Sequence, residues 1–216
     1  MSINKESITD KGIITDKILI KGYFAEEEDY EDACFNGWEY DLRLGCEYYS
    51  TTSDLPVFLD NGNPHAVIRS GDFALLITKE KLKMPLDVMA FISIKFTYKQ
   101  KGLINISGFH VDPGYEGKII FSVYNAGPND IILRRDDCVF MIFFQGLGVK
   151  IAKKSSGNSF DNIPVQMISA IRGRSVSLSA NAEKIERIEH YVKFYGAIAV
   201  TIIIMLLGII LRGVLK

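Results

Sequence analysis

Cysteine is scarce in this 216-residue chain, and its three copies form no recognisable motif. Cys34, Cys46 and Cys138 are odd in number, far apart and without CxxC or CxH neighbours. That pattern argues against a disulfide framework or a zinc site and fits a reducing compartment. Excess charge of one sign is missing too: 25 basic against 26 acidic residues leave a net charge of −1. With no basic cluster interleaved with aromatics, nucleic acid is not an expected partner. The first residues hold no apolar run, so a cleaved signal peptide is not expected. The acidic run Glu26 to Asp32, six carboxylates in seven residues, lacks the Asp/Asn/Gly spacing of a calcium loop. It reads as a solvated loop, with a site for a cation or basic partner as the alternative.

What is present is mostly β-patterned. Residues 102–125, GLINISGFHVDPGYEGKIIFSVYN, alternate apolar and small or polar residues through Ile104, Ile106 and Gly108. The chain then breaks at Asp112-Pro113-Gly114 and resumes as a β-rich run from Lys118 to Tyr124, which predicts a hairpin. Pro113 presets φ and Gly114 tolerates φ > 0, so the turn would project Asp112 and Tyr115 to one side. Backbone donors and acceptors left unpaired there would suit a flat polar ligand such as a pyrimidine base.

Upstream, Trp38 to Gly45 alternates large and charged residues, as a strand with one buried face would. Turn signals at Asn61-Gly62-Asn63-Pro64, Ser70-Gly71-Asp72 and Met84-Pro85-Leu86 separate further short strands without a helical period. Together these predict an all-β fold, a compact barrel or sandwich of jelly-roll type, and about 150 residues can bury a substantial core.

Four ordered blocks then carry a family resemblance: residues 37–49 (GWEYDLRLGCEYY), 68–92, the run GFHVDPGYEGKIIFSVYN, and 125–144. They resemble the dUTPase and dCTP deaminase superfamily over roughly residues 8–146. The resemblance implies a distorted β-barrel that assembles as a homotrimer, with nucleotide sites between subunits. It implies that Asp112 orients the water attacking a phosphate and that Tyr115 packs beneath the deoxyribose. Lys95, Thr97, Gly108 and Val111 are the further nucleotide-binding positions. Asp41 would hold metal-bound water, with Mg²⁺ accompanying a triphosphate; the residues alone equally allow an Asp41–Arg43 ion pair at a subunit contact.

Two departures from the family pattern matter. Where deaminases carry Gly-Arg-Ser-Ser and a second Arg, this chain reads Ile94-Lys95-Phe96-Thr97-Tyr98-Lys99-Gln100. Lysine keeps the charge but loses the bidentate fork that grips phosphate. Ser122 stands where deaminases use a Glu as general base, and a neutral hydroxyl cannot take that role near neutral pH. Cytosine deamination is therefore not expected, whereas hydrolysis through Asp112 remains compatible with the residues.

The remaining chain divides by composition. Residues 1–146 form the barrel region, 147–176 a linker, 177–194 an amphipathic helix and 195–216 an apolar helix. Lys153 to Ser159, followed by Phe160, has the Gly, hydroxyl and lysine content of a phosphate-wrapping tail and equally that of a flexible linker. Leu178, Ile185 and Val192 share a heptad position, with Ser179 placed to cap the helix. Residues 196–211 are uncharged, and with Phe194 and Tyr195 they reach the ~20 residues that cross a hydrocarbon core of roughly 30 Å. A single C-terminal membrane anchor with the barrel facing the cytoplasm is expected. Three functions fit: a degenerate, membrane-anchored nucleotide sensor; an active deoxynucleotide enzyme; or a structural trimer that clusters membrane helices.

Overall fold

A computed structural model describes residues 10–53, 55–152, 159–171 and 178–214. The chain divides into two compact units, Met1–Ser175 and Val176–Lys216. Residues 7–9, 153–158 and 177, which carry several of the expectations above, lie outside the described residues.

In chain order the first unit contains β1 (Gly12–Ile13), α1 (Lys17–Lys21), β2 (Tyr40–Ser50), β3 (Val57–Phe58), β4 (His65–Ile68), β5 (Phe73–Lys83) and β6 (Val88–Ile94). Then come α2 (Phe96–Lys99), β7 (Leu103–Asn105), β8 (His110–Val111), β9 (Glu116–Asn125), β10 (Ile131–Arg134), β11 (Cys138–Gly146) and α3 (Val165–Ile171). Among the described residues, nine strands form one antiparallel sheet in the order β7-β9-β5-β2-β11-β6-β8, with β1 on β11 and β3 on β2; β10 and β4 make a separate pair. The sheet curls. Phe121 of β9 and Phe140 of β11 are not on neighbouring strands, yet their rings stack face to face with centroids 4.0 Å apart inside the curl. The fold is thus the expected β architecture, a half-barrel closed around buried Tyr40, Leu42, Leu76, Phe121, Ile142 and Phe144.

The Asp-Pro-Gly turn does not close a hairpin. β9 pairs with β7 and β5, while β8 pairs with β6 at the opposite end of the sheet. Residues 102–125 therefore run from one edge of the curl to the other and back, spanning its seam. Local alternation and a good turn cannot reveal which edge a strand joins. In this stretch Leu103 is buried, whereas Ile104 and Ile106 are half exposed. Asn125, at the end of β9, is fully buried and donates to the carbonyls of Ile68 and Asn129.

β2 differs from its expected half-buried pattern, being buried on both faces. Its inner face carries Tyr40, Leu42 and Leu44, and its other face Asp41 and Arg43. The acidic run supplies the cover. It forms two short 3-10 turns, Glu27–Asp29 and Asp32–Cys34, rather than a free loop, and buries Tyr30 against Phe24 and Tyr40. Arg43 holds the cover down, donating to the Asp29 carbonyl at 3.4 Å and facing Glu31 at 3.8 Å. On its other side Arg43 Nε meets Glu80, which is fully buried, at 2.6 Å, and the Arg43 amide donates to the same carboxylate. Arg43 therefore pairs with Glu80 and not with Asp41, as residue spacing alone had allowed.

Residues 159–171, expected to belong to a linker, form a strap on the outside of the sheet. Ile163 and Ile168 pack with Tyr49, Leu75, Ile77 and Ile120 in a second apolar cluster. Burying two isoleucines contributes about 1.5–3 kcal/mol each, enough to hold a short segment in place. Polar pins add to it: the Ile163 amide donates to Glu47 Oε2 at 2.9 Å, the Lys118 amide to the Phe160 carbonyl at 2.7 Å, and Lys81 pairs with Asp161 at 2.8 Å.

The second unit contains α4 (Leu178–Val214), one uninterrupted helix covering both expected C-terminal segments. Ser179, expected as its cap, is the second described residue of this helix. By length and composition the stretch Lys184–Leu206 can cross a membrane, with mean hydropathy 1.4 and none of it buried. Inside the apolar part, the Thr201 hydroxyl donates to the Ala197 carbonyl at 2.8 Å, which satisfies its polar group without water.

Candidate functional site

The seam spanned by residues 106–115 contains a cavity of about 230 Å³. Its walls come from β6 (Ile92), the crossing loop (Ser107, Gly108), β8 and the turn (His110, Val111, Asp112, Tyr115), β9 (Ile119, Ile120) and the strap (Phe160). The backbone fixes the loop at both ends. The amides of Ile106 and Ser107 donate to the Ser122 carbonyl, the Phe109 carbonyl accepts from Ile92, and the Gly114 amide donates to Pro85. Gly114 has φ +75°, the left-handed conformation expected of the turn, and this presents Asp112 and Tyr115 to the same cavity.

Four expected residues, Gly108, Val111, Asp112 and Tyr115, thus converge on one cavity. A Cβ on Gly108 would meet nothing within 4 Å, so that glycine leaves open space beside the cavity. The Tyr115 hydroxyl donates to the Lys118 carbonyl, and burial, reinforced by Asp161, pushes its pKa up to about 12. Tyr115 is therefore a neutral wall near neutral pH. Proton chemistry among the described lining residues is left to Asp112 and His110, whose Oδ1 and Nε2 are 3.3 Å apart.

The other three expected residues lie elsewhere in the chain. Lys95, just past β6, places its ammonium on Asp41 Oδ2, which Asn36 Nδ2 also reaches at 3.2 Å. Burial works against the Lys95 charge, but Asp41 outweighs it and holds the amine above its ordinary pKa. Glu39 beside them is pushed up by burial and by Asp41. Asp41 Oδ1 and Glu39 Oε2 are buried without a hydrogen-bond partner among the described residues. The Lys95 ammonium already occupies Asp41 Oδ2, and its charge would repel a divalent cation placed beside it. No group of three or more His, Cys, Asp or Glu among the described residues is placed to hold a metal. Thr97 is exposed on α2 and does not line the cavity. Ser122 supplies its carbonyl to the loop, and its side chain is not part of the wall.

A profile of the dCTP deaminase-like family matches residues 13–147, well over half of the chain. The chain belongs to that family. A dCTP deaminase from Pyrococcus abyssi is 30% identical over 145 residues, covering 67% of this chain and 87% of that enzyme. One from Pyrobaculum arsenaticum is 38% identical over 107 residues, but the chain spans only 60% of its length. Among solved structures, the 2'-deoxycytidine 5'-triphosphate deaminase from Agrobacterium tumefaciens superposes with a TM-score of 0.52 at 19% identity. That match covers 63% of this chain and 48% of the other, and it speaks to the fold alone.

Six wall residues were not among the expected site residues, and His110 and Phe160 are the most informative of them. His110 had a signal: it lies two positions before Asp112 in an extended stretch, so both side chains point the same way. Phe160 had only a weak one, its place directly after the candidate tail, because a segment more than forty residues from Tyr115 reaches the cavity only through the docking of the strap.

Proposed function

We propose that this chain is a membrane-anchored nucleotide-binding protein whose cavity takes a pyrimidine deoxynucleotide and which does not deaminate cytosine. The observation that carries the proposal is the convergence of Gly108, Val111, Asp112 and Tyr115 on one 230 Å³ cavity at the seam. The relatives named above act on dCTP, and these are the positions their family pattern marks. Backbone groups of the loop would read the base edge, and Tyr115 would support the sugar. Lys95 and Thr97 do not line this cavity within one subunit. A homotrimer would let them reach a partner's cavity, with Lys95 releasing Asp41 for phosphate. Any magnesium would arrive with the triphosphate.

The walls support the loss of deamination: no carboxylate from β9 lines the cavity, and Asp112 with His110 are the groups there that could activate water. Their pairing favours a second reading, slow triphosphate hydrolysis, over a purely structural trimer. Anchoring rests on α4, with the half-barrel on the cytoplasmic side.

Thermal denaturation of the detergent-solubilised protein with dCTP, dUTP, dTTP and their ribonucleotide counterparts tests the proposal. Ligand at about 100 times its Kd stabilises by about 2.7 kcal/mol and should raise Tm by several degrees. Sustained ammonia release from dCTP would contradict the loss of deamination. A flat response to every nucleotide would remove the binding function.

A further inference from the structure

The acidic cover brings Cys34 to 3.7 Å, sulfur to sulfur, from Cys138 on β11, although 104 residues separate them in sequence. Cys34 is buried, Cys138 is partly exposed, and both are reduced. Each flanks the Asp41–Lys95 pair. Asn36, two residues after Cys34, donates to Asp41 Oδ2, and the Lys95 amide donates at 2.9 Å to the carbonyl of Val139, next to Cys138. The ion pair therefore sits between two backbone segments that carry the thiols.

We propose that Cys34 and Cys138 form a modification site that a low-molecular-weight disulfide converts to an intramolecular disulfide, and that this conversion resets the Asp41–Lys95 pair. The accessible Cys138 thiolate attacks one sulfur of the reagent RSSR, forming a mixed disulfide and releasing RS⁻. Cys34 then attacks Cys138 Sγ, the second RS⁻ leaves, and both leaving groups take up the thiol protons. The net change is two protein thiols plus RSSR giving one protein disulfide plus two RSH, with two electrons passing to the reagent. Bond formation brings sulfurs 3.7 Å apart to about 2.05 Å, so the cover and β11 must close on each other. The Asn36 hydrogen bond, already 3.2 Å long, is the contact most exposed to that movement. Burial pushes the Cys138 thiol up to about 12, with Cys34 adding to the effect, so exchange is slow at neutral pH and accelerates as pH rises.

The test uses full-length protein in detergent. It is incubated with oxidised glutathione at pH 8.5, trapped with N-ethylmaleimide and mapped by mass spectrometry. The expected product joins the Cys34 and Cys138 peptides with loss of two hydrogens, leaves Cys46 alkylated, reverts with dithiothreitol, and is absent from Cys34→Ser. A disulfide closing a loop this long should raise Tm by about 10 °C. Acylation of the Lys95 amine, read in the same digest, should change by about threefold or more between the oxidised and reduced forms, the scale of one hydrogen bond. Persistent free thiols or stable glutathione adducts at Cys34 and Cys138 would overturn the modification site. Formation of the disulfide with unchanged Lys95 acylation would overturn its coupling to the ion pair.

Discussion

Replacing Gly117 with alanine separates the strap from the half-barrel and takes Phe160 out of the cavity wall. Gly117 sits at φ +145°, where an L side chain is strained, and a Cβ there would lie 2.8 Å from the Phe160 amide nitrogen and 3.2 Å from its carbonyl oxygen. Backbone cannot yield as the end of a side chain can, so the strap has to lift. Two effects result. Strain at residue 117 costs about 1–3 kcal/mol and is felt by the whole fold through β9. Lifting residue 160 also breaks the bond from the Lys118 amide, worth about 1 kcal/mol, and withdraws Phe160 from the cavity. Gly117→Ala should therefore lower the urea midpoint modestly. Hydrogen exchange should show more: the Lys118 amide should exchange at least about fivefold faster than the global loss accounts for. The Ile163 amide, pinned to Glu47, reports whether the apolar end of the strap stays docked. If Lys118 protection followed global stability alone, the strap would not rest on Gly117, and Phe160 would lose its place in the cavity wall.

Other expectations are narrower. Arg43→Met leaves the Glu80 carboxylate buried without its guanidinium and should cost about 3–5 kcal/mol in chemical denaturation. Burial already holds Glu80 above its ordinary pKa, and losing Arg43 raises it further. A raised folded-state carboxyl pKa gives stability that is present at low pH and lost as pH rises through it, so the defect should be smaller at pH 5 than at pH 8. Asp112→Asn should abolish any triphosphate hydrolysis, because an amide cannot accept the water's proton; hydrolysis surviving in this variant would place the activity elsewhere. Ile204→Arg puts a charge within the apolar part of α4 at a cost of roughly 2.5–3.5 kcal/mol, and should shift the protein toward the carbonate-soluble fraction while leaving the half-barrel's unfolding midpoint unchanged.

The β class of the fold was readable because short alternating runs and closely spaced turn signals are local properties. Strand partners were not local: Asp112-Pro113-Gly114 looks like a hairpin turn whether the next strand returns to its neighbour or crosses the seam to β7. The inner face of β7 was not legible for a related reason, since alternation gives two faces without saying which one meets the core. β2 was misread because its outward charges are covered by the acidic run, and nothing in that run announces that Arg43 will clamp it. In the site, the turn and its flanking residues were legible because they are contiguous. Asp41 and Lys95 were legible singly, but their contact depends on β2 and β6 both lying beside β11, which no spacing in the chain reveals. Cys34 and Cys138 met for the same reason.

The cavity as a nucleotide site is tested most directly by plugging it. Gly108 lines it, and a Cβ there meets nothing within 4 Å, so Gly108→Phe should fill the space without disturbing the fold. Calorimetric titration of wild type with pyrimidine deoxynucleotides should show saturable binding near one site per chain. The same titration of Gly108→Phe, at an unchanged unfolding midpoint, should show none. Equal affinity in the two proteins would mean that the nucleotide binds elsewhere and that the seam is not the functional site.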